Sequence, residues 1–446
     1  MERVHLVTLG CAKNLVDSEL MLGALAQAGF ELTLDPTAAD VLVVNTCAFI
    51  EAAKKESIDA ILEAAALKRE APGRRLVVSG CLAQRYGAEL ADELPEVDIF
   101  VGTGNFLDLP DLLRGTARDE RRATGYVGAA HLLPNAELPR IRVADGASAY
   151  LKVSEGCDHK CSFCIIPKIR GKHQSRPLED VVAEAERLVA GGVRELNLIA
   201  QDLTAYGRDL RPVESLARLL ERLNDIEGLR WIRLLYCYPS SLNDELLEAV
   251  ADLPKVVKYI DMPLQHADDE VLRAMKRERG VAALNRLLDR VRHAIPSVAL
   301  RSSFIVGFPG ETESAFRHLE DFIRHQQFDR VGVFTYSREE NTVAGAMANQ
   351  VPNAVKRERR RRLLELQATI AQARNRMWVG REVEVLVEGE LGGRAGRWRG
   401  RTASQAPEID GMVILRGEAL PGEFVRVRIE QARTYDLVGT IQGPAA

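Results

Sequence analysis

The chain has no long hydrophobic run, no low-complexity tract and no large excess of charge of either sign. No stretch approaches the roughly 18 consecutive apolar residues that a membrane-spanning helix needs, which argues against a bilayer protein. The formal net charge of −4 excludes a general attraction to nucleic acid or anionic membranes, and leaves such contacts to local patches. The first residues read as a strand rather than a secretory signal. We therefore expect a cytoplasmic protein, whose 446 residues predict about three domains.

Cysteine is also scarce, with seven in the whole chain, yet six of the seven fall into two groups of three. We call these groups the compact triad (Cys157, Cys161 and Cys164) and the dispersed triad (Cys11, Cys47 and Cys81). In a reducing cytoplasm, clustered cysteines more often bind metal or react than form disulfides. The seventh cysteine, Cys237, ends an apolar run, and we interpret it as a small buried packing residue.

Residues 1–115 alternate short apolar runs with helical patterns, which is typical of a parallel sheet with helices on its faces. Each cysteine of the dispersed triad comes one to three residues after an apolar run. In such sheets the loops at the carboxyl ends of the strands line one crevice. We therefore expect the three thiols to converge in space. Three buried structural cysteines are the alternative that these residues alone leave open.

A polar segment over residues 116–146 is interpreted as a linker, with a short hairpin at RATGYVGAAHLLP. Residues 147–376 then hold six candidate strands alternating with helical segments: AYLKVS, RELNLIA, RWIRLLY, VKYIDM, ALRSSFIVG and DRVGVFTYS. This alternation predicts a full or partial barrel with its chemistry at the carboxyl ends of the strands, and the compact triad follows the first strand. A very basic helix, KRERRRRLLELQATIAQARNR, ends the segment, and it either closes the barrel with a solvated face or contacts RNA.

The last segment, residues 377–446, alternates apolar with polar residues and is broken by glycines, which predicts a small antiparallel β-barrel. From Trp378 onwards it has nine arginines and no lysine against ten acidic residues, one net negative charge. Because phosphate neutralisation dominates nucleic-acid affinity, this barrel suits a basic protein better than tRNA. A local basic strip around Trp398 leaves a contact with ribosomal RNA open.

The spacing of the compact triad, with three and then two intervening residues, restricts its chemistry. Structural zinc takes four ligands, and the nearest further candidates, His159 and His173, lack the usual paired spacing. With Phe163 before the last cysteine, EGCDHKCSFCIIP resembles the signature of the radical S-adenosylmethionine superfamily. The resemblance implies a 4Fe-4S cluster on the three thiolates, with S-adenosylmethionine on the fourth iron. Such a cofactor is needed because acid–base side chains cannot abstract hydrogen from an unactivated carbon.

Other positions at strand ends fit the cofactor site that this resemblance implies. GFPGE follows the fifth candidate strand, where glycine lets the backbone approach a ligand, although a simple turn before a helix is the alternative. One glutamine ends the second candidate strand and another follows the fourth, and an exposed loop is the alternative for each. The predicted cofactor-binding residues are Phe163, Gln201, Gln265, Gly307, Gly310 and Glu311.

The contexts of the dispersed triad, LGCAKNLVDSE, VVNTCAFI and VSGCLAQRY, together resemble the amino-terminal domain of the methylthiotransferase family. The resemblance covers essentially the whole chain, because a radical barrel and a terminal TRAM-type barrel follow in the family's order. It implies a second 4Fe-4S cluster on the dispersed triad, and two S-adenosylmethionine molecules, one as methyl donor and one as radical source. It also implies an external sulfur source and electron donor, and we expect a monomer.

Two branches of the family differ in substrate, which is a tRNA adenosine in one and an aspartate of ribosomal protein uS12 in the other. GCDHKCSFCIIPKIRGKHQSR, IAQDLTAYGRDL, LLYCYPSSL and YIDMPLQHA resemble the uS12 branch, which implies methylthio insertion at the aspartate β-carbon, in free uS12 or in the small subunit. Lys168, Arg170 and Lys172 are candidate partners of the substrate carboxylate, with a solvated loop as the alternative. No acid–base catalyst is identified. The other readings are the tRNA-adenosine enzyme and a non-catalytic iron–sulfur electron carrier.

Overall fold

A computed structural model of the chain describes residues 1–115, 128, 132–143, 146–277, 279–393 and 396–445. Most of the hairpin predicted at residues 122–134 lies outside the described residues. Within the described ranges, no helix combines the length and the apolar character that crossing a bilayer requires. The elements form three units, which follow one another along the chain.

The first unit alternates strands with helices in the order β1 (Arg3–Thr8), α1 (Ala12–Gln27), β2 (Glu31–Leu32), β3 (Val41–Thr46), α2 (Glu51–Glu70), β4 (Arg75–Gly80), α3 (Cys81–Glu93), β5 (Ile99–Val101) and α4 (Leu109–Arg114). The five strands are parallel, with the order β2-β1-β3-β4-β5. Both faces of β3 are covered: Val41 and Val43 pack in one apolar cluster with α1, and Leu42 and Val44 in another with α2. This double burial explains why the strand is a continuous apolar run.

The second unit begins with β6 (Ser148–Lys152), β7 (Ser154–Glu155), α5 (Ile166–Arg170), β8 (Gln174–Ser175), α6 (Leu178–Ala190), β9 (Glu195–Ile199), α7 (Leu216–Asn224), β10 (Trp231–Leu234) and α8 (Asp244–Asp252). It continues with β11 (Val256–Asp261), α9 (Asp269–Ala274), α10 (Val281–Ala294), β12 (Ala299–Val306), α11 (Glu313–Gln326), β13 (Arg330–Thr335) and α12 (Asn353–Arg376).

The six candidate strands of the second unit are confirmed, and they form one parallel sheet in the order β13-β12-β11-β10-β9-β6. The sheet is open, with β6 and β13 at its edges, so the unit is a partial barrel. Leu196, Leu198 and Leu234 pack on the helical side in one large apolar cluster. The basic helix α12 packs against β13 and buries Leu363 and Ile370 in the same cluster, which favours barrel closure as its role.

The third unit is a closed barrel of β14 (Glu382–Glu390), β15 (Arg397–Arg401), β16 (Val413–Arg416), β17 (Phe424–Ala432) and β18 (Leu437–Pro444), in the order β14-β15-β16-β18-β17. The predicted small barrel is confirmed, but its description as antiparallel is wrong for one pair, because β16 and β18 are parallel. A closed ring of five strands cannot alternate direction at every step. One parallel pair is therefore unavoidable.

Buried ion pairs, rather than apolar contacts alone, join the third unit to the second. Arg401 on β15 donates to Glu195 on β9, which also pairs with Arg233 on β10. Burial alone would raise the pKa of Glu195, but the two guanidinium groups outweigh it and hold the pKa at about 2. Asp410 accepts a hydrogen bond of 2.8 Å from the Tyr259 hydroxyl. The terminal barrel therefore docks in a defined orientation on the polar inner face of the sheet.

Candidate functional site

The dispersed triad lies at the carboxyl ends of three neighbouring strands. Cys11 immediately precedes α1, Cys47 follows β3, and Cys81 is the first residue of α3. A Cβ atom on Gly10 would lie 3.2 Å from the Cys47 sulfur, so the first two loops touch. Cys11 is exposed, Cys47 is half-buried and Cys81 is buried. Cys47 and Cys11 both act electrostatically on the Cys81 thiol, so three cysteines that are far apart in sequence lie at one edge of the sheet.

Buried polar side chains hold the loops of the dispersed triad. Asn14 Nδ2 donates to the carbonyl oxygens of Leu9 and Thr46, both at 2.9 Å. Asn45 Nδ2 donates to the Asn14 carbonyl at 2.9 Å and to Ser18 Oγ at 2.8 Å. Sequence reasoning missed these residues. The signal was present, because Asn14 and Ser18 are polar residues at helical spacing on a face of α1 that must pack against the sheet.

A glycine directly before Cys81 sets the position of that cysteine. Gly80 has a φ of +94°, a conformation that residues with a side chain rarely adopt. A Cβ atom there would lie 2.3 Å from Asn45 Oδ1 and 2.7 Å from the Thr46 carbonyl oxygen. β3 and β4 can therefore approach closely at the point where two of the cysteines emerge.

The compact triad lies in the loop between β7 and α5, and its three cysteines are all half-buried. Backbone hydrogen bonds fix the loop: Cys157 N donates to the Gly171 carbonyl at 3.1 Å, and Cys164 N donates to the Cys161 carbonyl at 3.1 Å. Gly156, which precedes Cys157, has a φ of +78°, and a Cβ atom there would lie 2.0 Å from a neighbouring carbonyl oxygen. Close backbone packing therefore shapes this loop.

One arginine contacts a sulfur atom in each triad. Arg170 on α5 donates to the Cys81 sulfur at 3.5 Å, and so connects the second unit to the dispersed triad of the first. Arg277 donates to the Cys161 sulfur at 3.6 Å, with its guanidinium 4.1 Å from the ring centroid of Tyr238. Each triad therefore has a permanent positive charge against one of its sulfur atoms.

A buried layer of charged groups separates the two triads. Arg170 donates to Asp17 Oδ2 at 2.6 Å and to Asn14 Oδ1 at 2.5 Å, both on α1. Lys152 Nζ donates to Asp17 Oδ1 at 2.5 Å and to Glu155 Oε2 at 2.8 Å. Burial alone would raise the pKa of Glu155, but Lys152 and Arg170 outweigh it and hold the pKa below its usual value. The first two units therefore meet through ionised groups at the candidate site.

Lys13 and Tyr236 complete this layer. Lys13 Nζ lies 2.9 Å from the ring centroid of Tyr236, and Tyr236 has a φ of +66°, an uncommon conformation for an aromatic residue. Tyr236 N donates to Asp261 Oδ2 at 3.1 Å. Burial lowers the pKa of Lys13 to about 8. Sequence reasoning quoted the motifs that contain these residues, LGCAKNLVDSE and LLYCYPSSL, but missed the two residues themselves, because their contact is made between two units of the fold.

The predicted cofactor-binding residues lie in different surroundings. Gln201 donates to the Glu155 carboxylate beside the compact triad. Gln265 has a φ of +75° and bridges to β12, and Phe163 packs at the edge of an apolar cluster. Glu311 is buried, and its carboxylate accepts from Gly307 N at 2.7 Å and from Arg359 at 2.8 Å. It therefore shapes the GFPGE turn, in which Gly310 N donates to the Asn349 carbonyl at 2.8 Å.

The three basic residues predicted near the substrate also differ. Lys168 is exposed and donates to the Asn341 carbonyl at 2.9 Å, and Lys172 is exposed. Arg170 alone of the three faces the buried layer between the triads. Cys237 is fully buried in the large apolar cluster of the second unit, which confirms its predicted packing role.

Comparison with known proteins decides the family. Residues 3–102 match the uncharacterized protein family UPF0004, residues 151–323 match the radical SAM superfamily, and residues 379–441 match the TRAM domain. The protein named ribosomal protein uS12 methylthiotransferase RimO from Anaeromyxobacter sp. (strain K) is 52% identical over 440 residues, covering 98% of this chain and 93% of its own. The protein of the same name from Citrifermentans bemidjiense is 49% identical, covering 99% and 98%. The chain belongs to the RimO family.

Solved structures show the same fold at low sequence identity. The radical S-adenosylmethionine methyltransferase TsrM from Kitasatospora setae, with cobalamin and a [4Fe-4S] cluster bound, has a TM-score of 0.57 at 16% identity and covers 77% of each chain. The cobalamin-dependent radical enzyme OxsB has a TM-score of 0.54 at 14% identity, covering 83% of this chain and 56% of its own. These likenesses concern the fold alone, and the RimO assignment depends on the close sequence relatives.

The donor groups fit the 4Fe-4S clusters and S-adenosylmethionine that membership in the RimO family implies. Within the described ranges, no three His, Cys, Asp or Glu side chains group around one ion position. A cubane does not need such a group, because each thiolate binds a different iron. Burial raises the pKa of Cys81 and that of Cys164 to about 12 each, so these thiols need an adjacent cation such as iron to ionise at neutral pH.

Proposed function

We propose that this chain is a transferase that places a methylthio group on the β-carbon of an aspartate of ribosomal protein uS12. One observation carries the proposal beyond the family assignment: the two triads, which belong to different units, share one buried charged layer. Arg170 follows the compact triad by a few residues, yet it contacts the sulfur of Cys81 in the dispersed triad. A substrate side chain held in that layer therefore borders both sets of thiols.

The proposal assigns one 4Fe-4S cluster to Cys157, Cys161 and Cys164, and a second to Cys11, Cys47 and Cys81. When bound, these clusters and S-adenosylmethionine supply the radical that removes the β hydrogen and the methylated sulfur that replaces it. Gln201 is well placed to orient S-adenosylmethionine, because it is anchored on Glu155 beside the compact triad. We assign the same role to Phe163, Gln265 and the GFPGE turn.

The protein's own residues define the reaction chamber. Asp17, Lys152, Glu155 and Arg170 are each at least nine-tenths buried and bonded to one another, so this part of the chamber is rigid and holds little water. Rigidity and dryness matter because a radical that meets solvent or a wrong C–H bond is lost. The ion pairs from α1 to β6 and α5 also keep the first two units in register.

Further parts of the proposal depend on the chemistry of the reaction. Sulfur and electrons are consumed, so an external sulfur source and an external electron donor are required. A cytoplasmic location follows from a ribosomal protein substrate. The domain bounds near residues 115, 146 and 376, the monomeric state and the choice between free uS12 and the small subunit remain predictions.

Mass spectrometry of uS12 and of tRNA, from cells with and without this gene, tests the substrate. We expect uS12 from gene-containing cells to carry the mass of one methylthio group in place of hydrogen, on an aspartate, and uS12 from deleted cells to lack it. Complementation with the chain must restore the mass. If the methylthio group disappears from tRNA instead, the tRNA-adenosine reaction replaces the proposal. If reconstituted protein forms no 5′-deoxyadenosine from S-adenosylmethionine and dithionite, the electron-carrier reading replaces it.

A further inference from the structure

Lys13 is a buried lysine for which the described residues supply no carboxylate partner, and the charged group that acts on it most strongly is the Cys11 thiol. Lys13 follows Cys11 by two positions in the sequence. Its side chain is only 7% exposed, and its ammonium group lies over the face of the Tyr236 ring. Within the part of the chain that the structure describes, no carboxylate lies within ion-pair distance of Lys13 Nζ. Burying an ammonium group without a paired carboxylate is costly, so this arrangement requires an explanation.

The other cations of the layer are paired. Lys152 binds Asp17 and Glu155, and Arg170 binds Asp17. Arg301, on the inner face of β12, donates to Asp261 Oδ1 at 3.0 Å. After Cys11, the groups that most favour the charge of Lys13 are the carboxylates of Asp261 and Glu155, and both are already paired with other cations. Among the described cations of this layer, Lys13 is the one whose ammonium group can accept a further carboxylate.

The aromatic ring that contacts Lys13 is held in one position by the surrounding structure. Tyr236 keeps its φ of +66° because its backbone N–H is bonded to Asp261, so the ring is fixed beneath the ammonium. Strained backbone of this kind persists where surrounding structure over-determines it, and it concentrates at functional sites. An aromatic face also stabilises a cation that has lost its water. Lys13 is therefore a prepared, desolvated positive charge beside the dispersed triad.

We propose that Lys13 binds the side-chain carboxylate of the substrate aspartate and thereby selects aspartate over its amide, asparagine. The inference rests on the proposed function and adds to it the residue that reads the substrate's charge. A carboxylate paired with Lys13 would hold the adjacent β-carbon in the layer that both triads border. Lys13 is then a substrate-binding residue, distinct from the three basic residues predicted beyond the compact triad.

The experiment measures binding of two peptides to the reconstituted protein by fluorescence anisotropy. One peptide is a uS12 segment centred on the aspartate that mass spectrometry shows to be modified, and the other has asparagine there. We expect the wild-type chain to bind the aspartate peptide about 30-fold more tightly than the asparagine peptide. This ratio corresponds to the lower end of the penalty for leaving one member of a buried charge pair without its partner. Lys13→Met should remove this preference by weakening the aspartate peptide alone, whereas Lys13→Arg should keep most of it.

Lys55→Met is the matched control, because Lys55 is an exposed lysine of the same unit. It should leave the preference intact. A wild-type preference near unity overturns the inference without any variant, and so does a Lys13→Met protein that loses both peptides equally or keeps the preference. Iron and sulfide content, measured on each variant, identifies any protein that failed to fold. If wild-type chain modifies no aspartate of uS12, the proposed function itself fails, and that result is separate from the peptide ratio.

Discussion

The dispersed and compact triads place three thiols each by opposite means. The dispersed triad takes one cysteine from each of three strand ends, and buried side chains such as Asn14 and Asn45 tie its loops together. The compact triad occupies one loop that backbone hydrogen bonds hold, with half-buried cysteines. The first depends on a whole folded sheet, and the second on one short segment placed at the mouth of a barrel.

This difference has a consequence for how the two sites tolerate change. A perturbation of the compact triad is local, because its loop is anchored to α5 and to the turn after α9. A perturbation of the dispersed triad is transmitted through α1, which also contributes Asp17 to the interface with the second unit. Arg170 joins the two sites, since it follows the compact triad and contacts Cys81.

The largest expected effect comes from removing each triad separately. Replacing Cys157, Cys161 and Cys164 by alanine should abolish 5′-deoxyadenosine formation, because no cluster would then bind and reduce S-adenosylmethionine. Replacing Cys11, Cys47 and Cys81 should leave 5′-deoxyadenosine formation but abolish methylthio transfer to uS12. Each triple variant should contain about half of the wild-type iron, because each triad binds one of two clusters through its thiolates. Chromatography of the nucleoside product, iron analysis and mass spectrometry of uS12 provide the three readouts.

The separation of roles can be contradicted directly. If both triple variants lose 5′-deoxyadenosine, the dispersed triad is needed for radical formation or for the fold of the barrel. Cys237→Ala is the control, because this seventh cysteine is packed in the apolar cluster of the second unit and should affect stability without changing the iron content.

The sequence predicted the compact triad more directly than the dispersed triad. Three features could be predicted because each is a local or periodic signal in the sequence. They are the spacing of the compact triad, the strand pattern around it and the order of the three units. The convergence of Cys11, Cys47 and Cys81 was predictable only through a rule for parallel sheets. Lys13 was not predictable, because its significance depends on meeting the Tyr236 ring, and no described carboxylate, across the interface, which only the folded chain shows.

Arg170 illustrates the same limit in a residue that the sequence did single out. Its charge and its position after the compact triad pointed to a substrate carboxylate. In the structure its guanidinium bonds Asp17 and Asn14 and contacts Cys81, all from the first unit. Those partners are more than eighty positions away in sequence, so no local pattern could have named them. Long-range contacts of this kind are what sequence reading leaves out.

An intermediate effect is expected from the glycines that precede two of the cysteines. Gly80→Ala and Gly156→Ala each combine a disfavoured φ with a Cβ atom placed at 2.3 Å and 2.0 Å from its nearest neighbour. Each should lower the free energy of unfolding by about 2 kcal/mol or more. Gly80→Ala should reduce the iron bound by the dispersed triad, and Gly156→Ala that bound by the compact triad. Urea unfolding and iron analysis measure the two effects.

Gly73→Ala separates backbone strain from crowding. Gly73 has a φ of +92°, but no atom lies within 4 Å of an added Cβ. The substitution should therefore lower the free energy of unfolding by only about 1 kcal/mol. Its iron content should be that of the wild-type chain. If Gly73→Ala and Gly80→Ala lower the free energy of unfolding equally, the close approach of β3 and β4 at Cys81 adds nothing to the cost of the Gly80 substitution.

The smallest expected effect concerns the arginine at each triad. A donor N–H against a ligand sulfur stabilises the reduced, more negative cluster, so removing it should lower the reduction potential of that cluster. Arg170→Lys keeps a positive charge beside Asp17 but loses the planar guanidinium group that reaches the Cys81 sulfur. Arg277→Lys likewise keeps its charge but loses the guanidinium N–H that contacts the Cys161 sulfur. We expect each substitution to shift one of two potentials in an electron paramagnetic resonance titration, and to leave the other unchanged. If Arg170→Lys shifts both, the two triads are electrostatically coupled through the buried layer, and they form one redox site rather than two neighbouring ones.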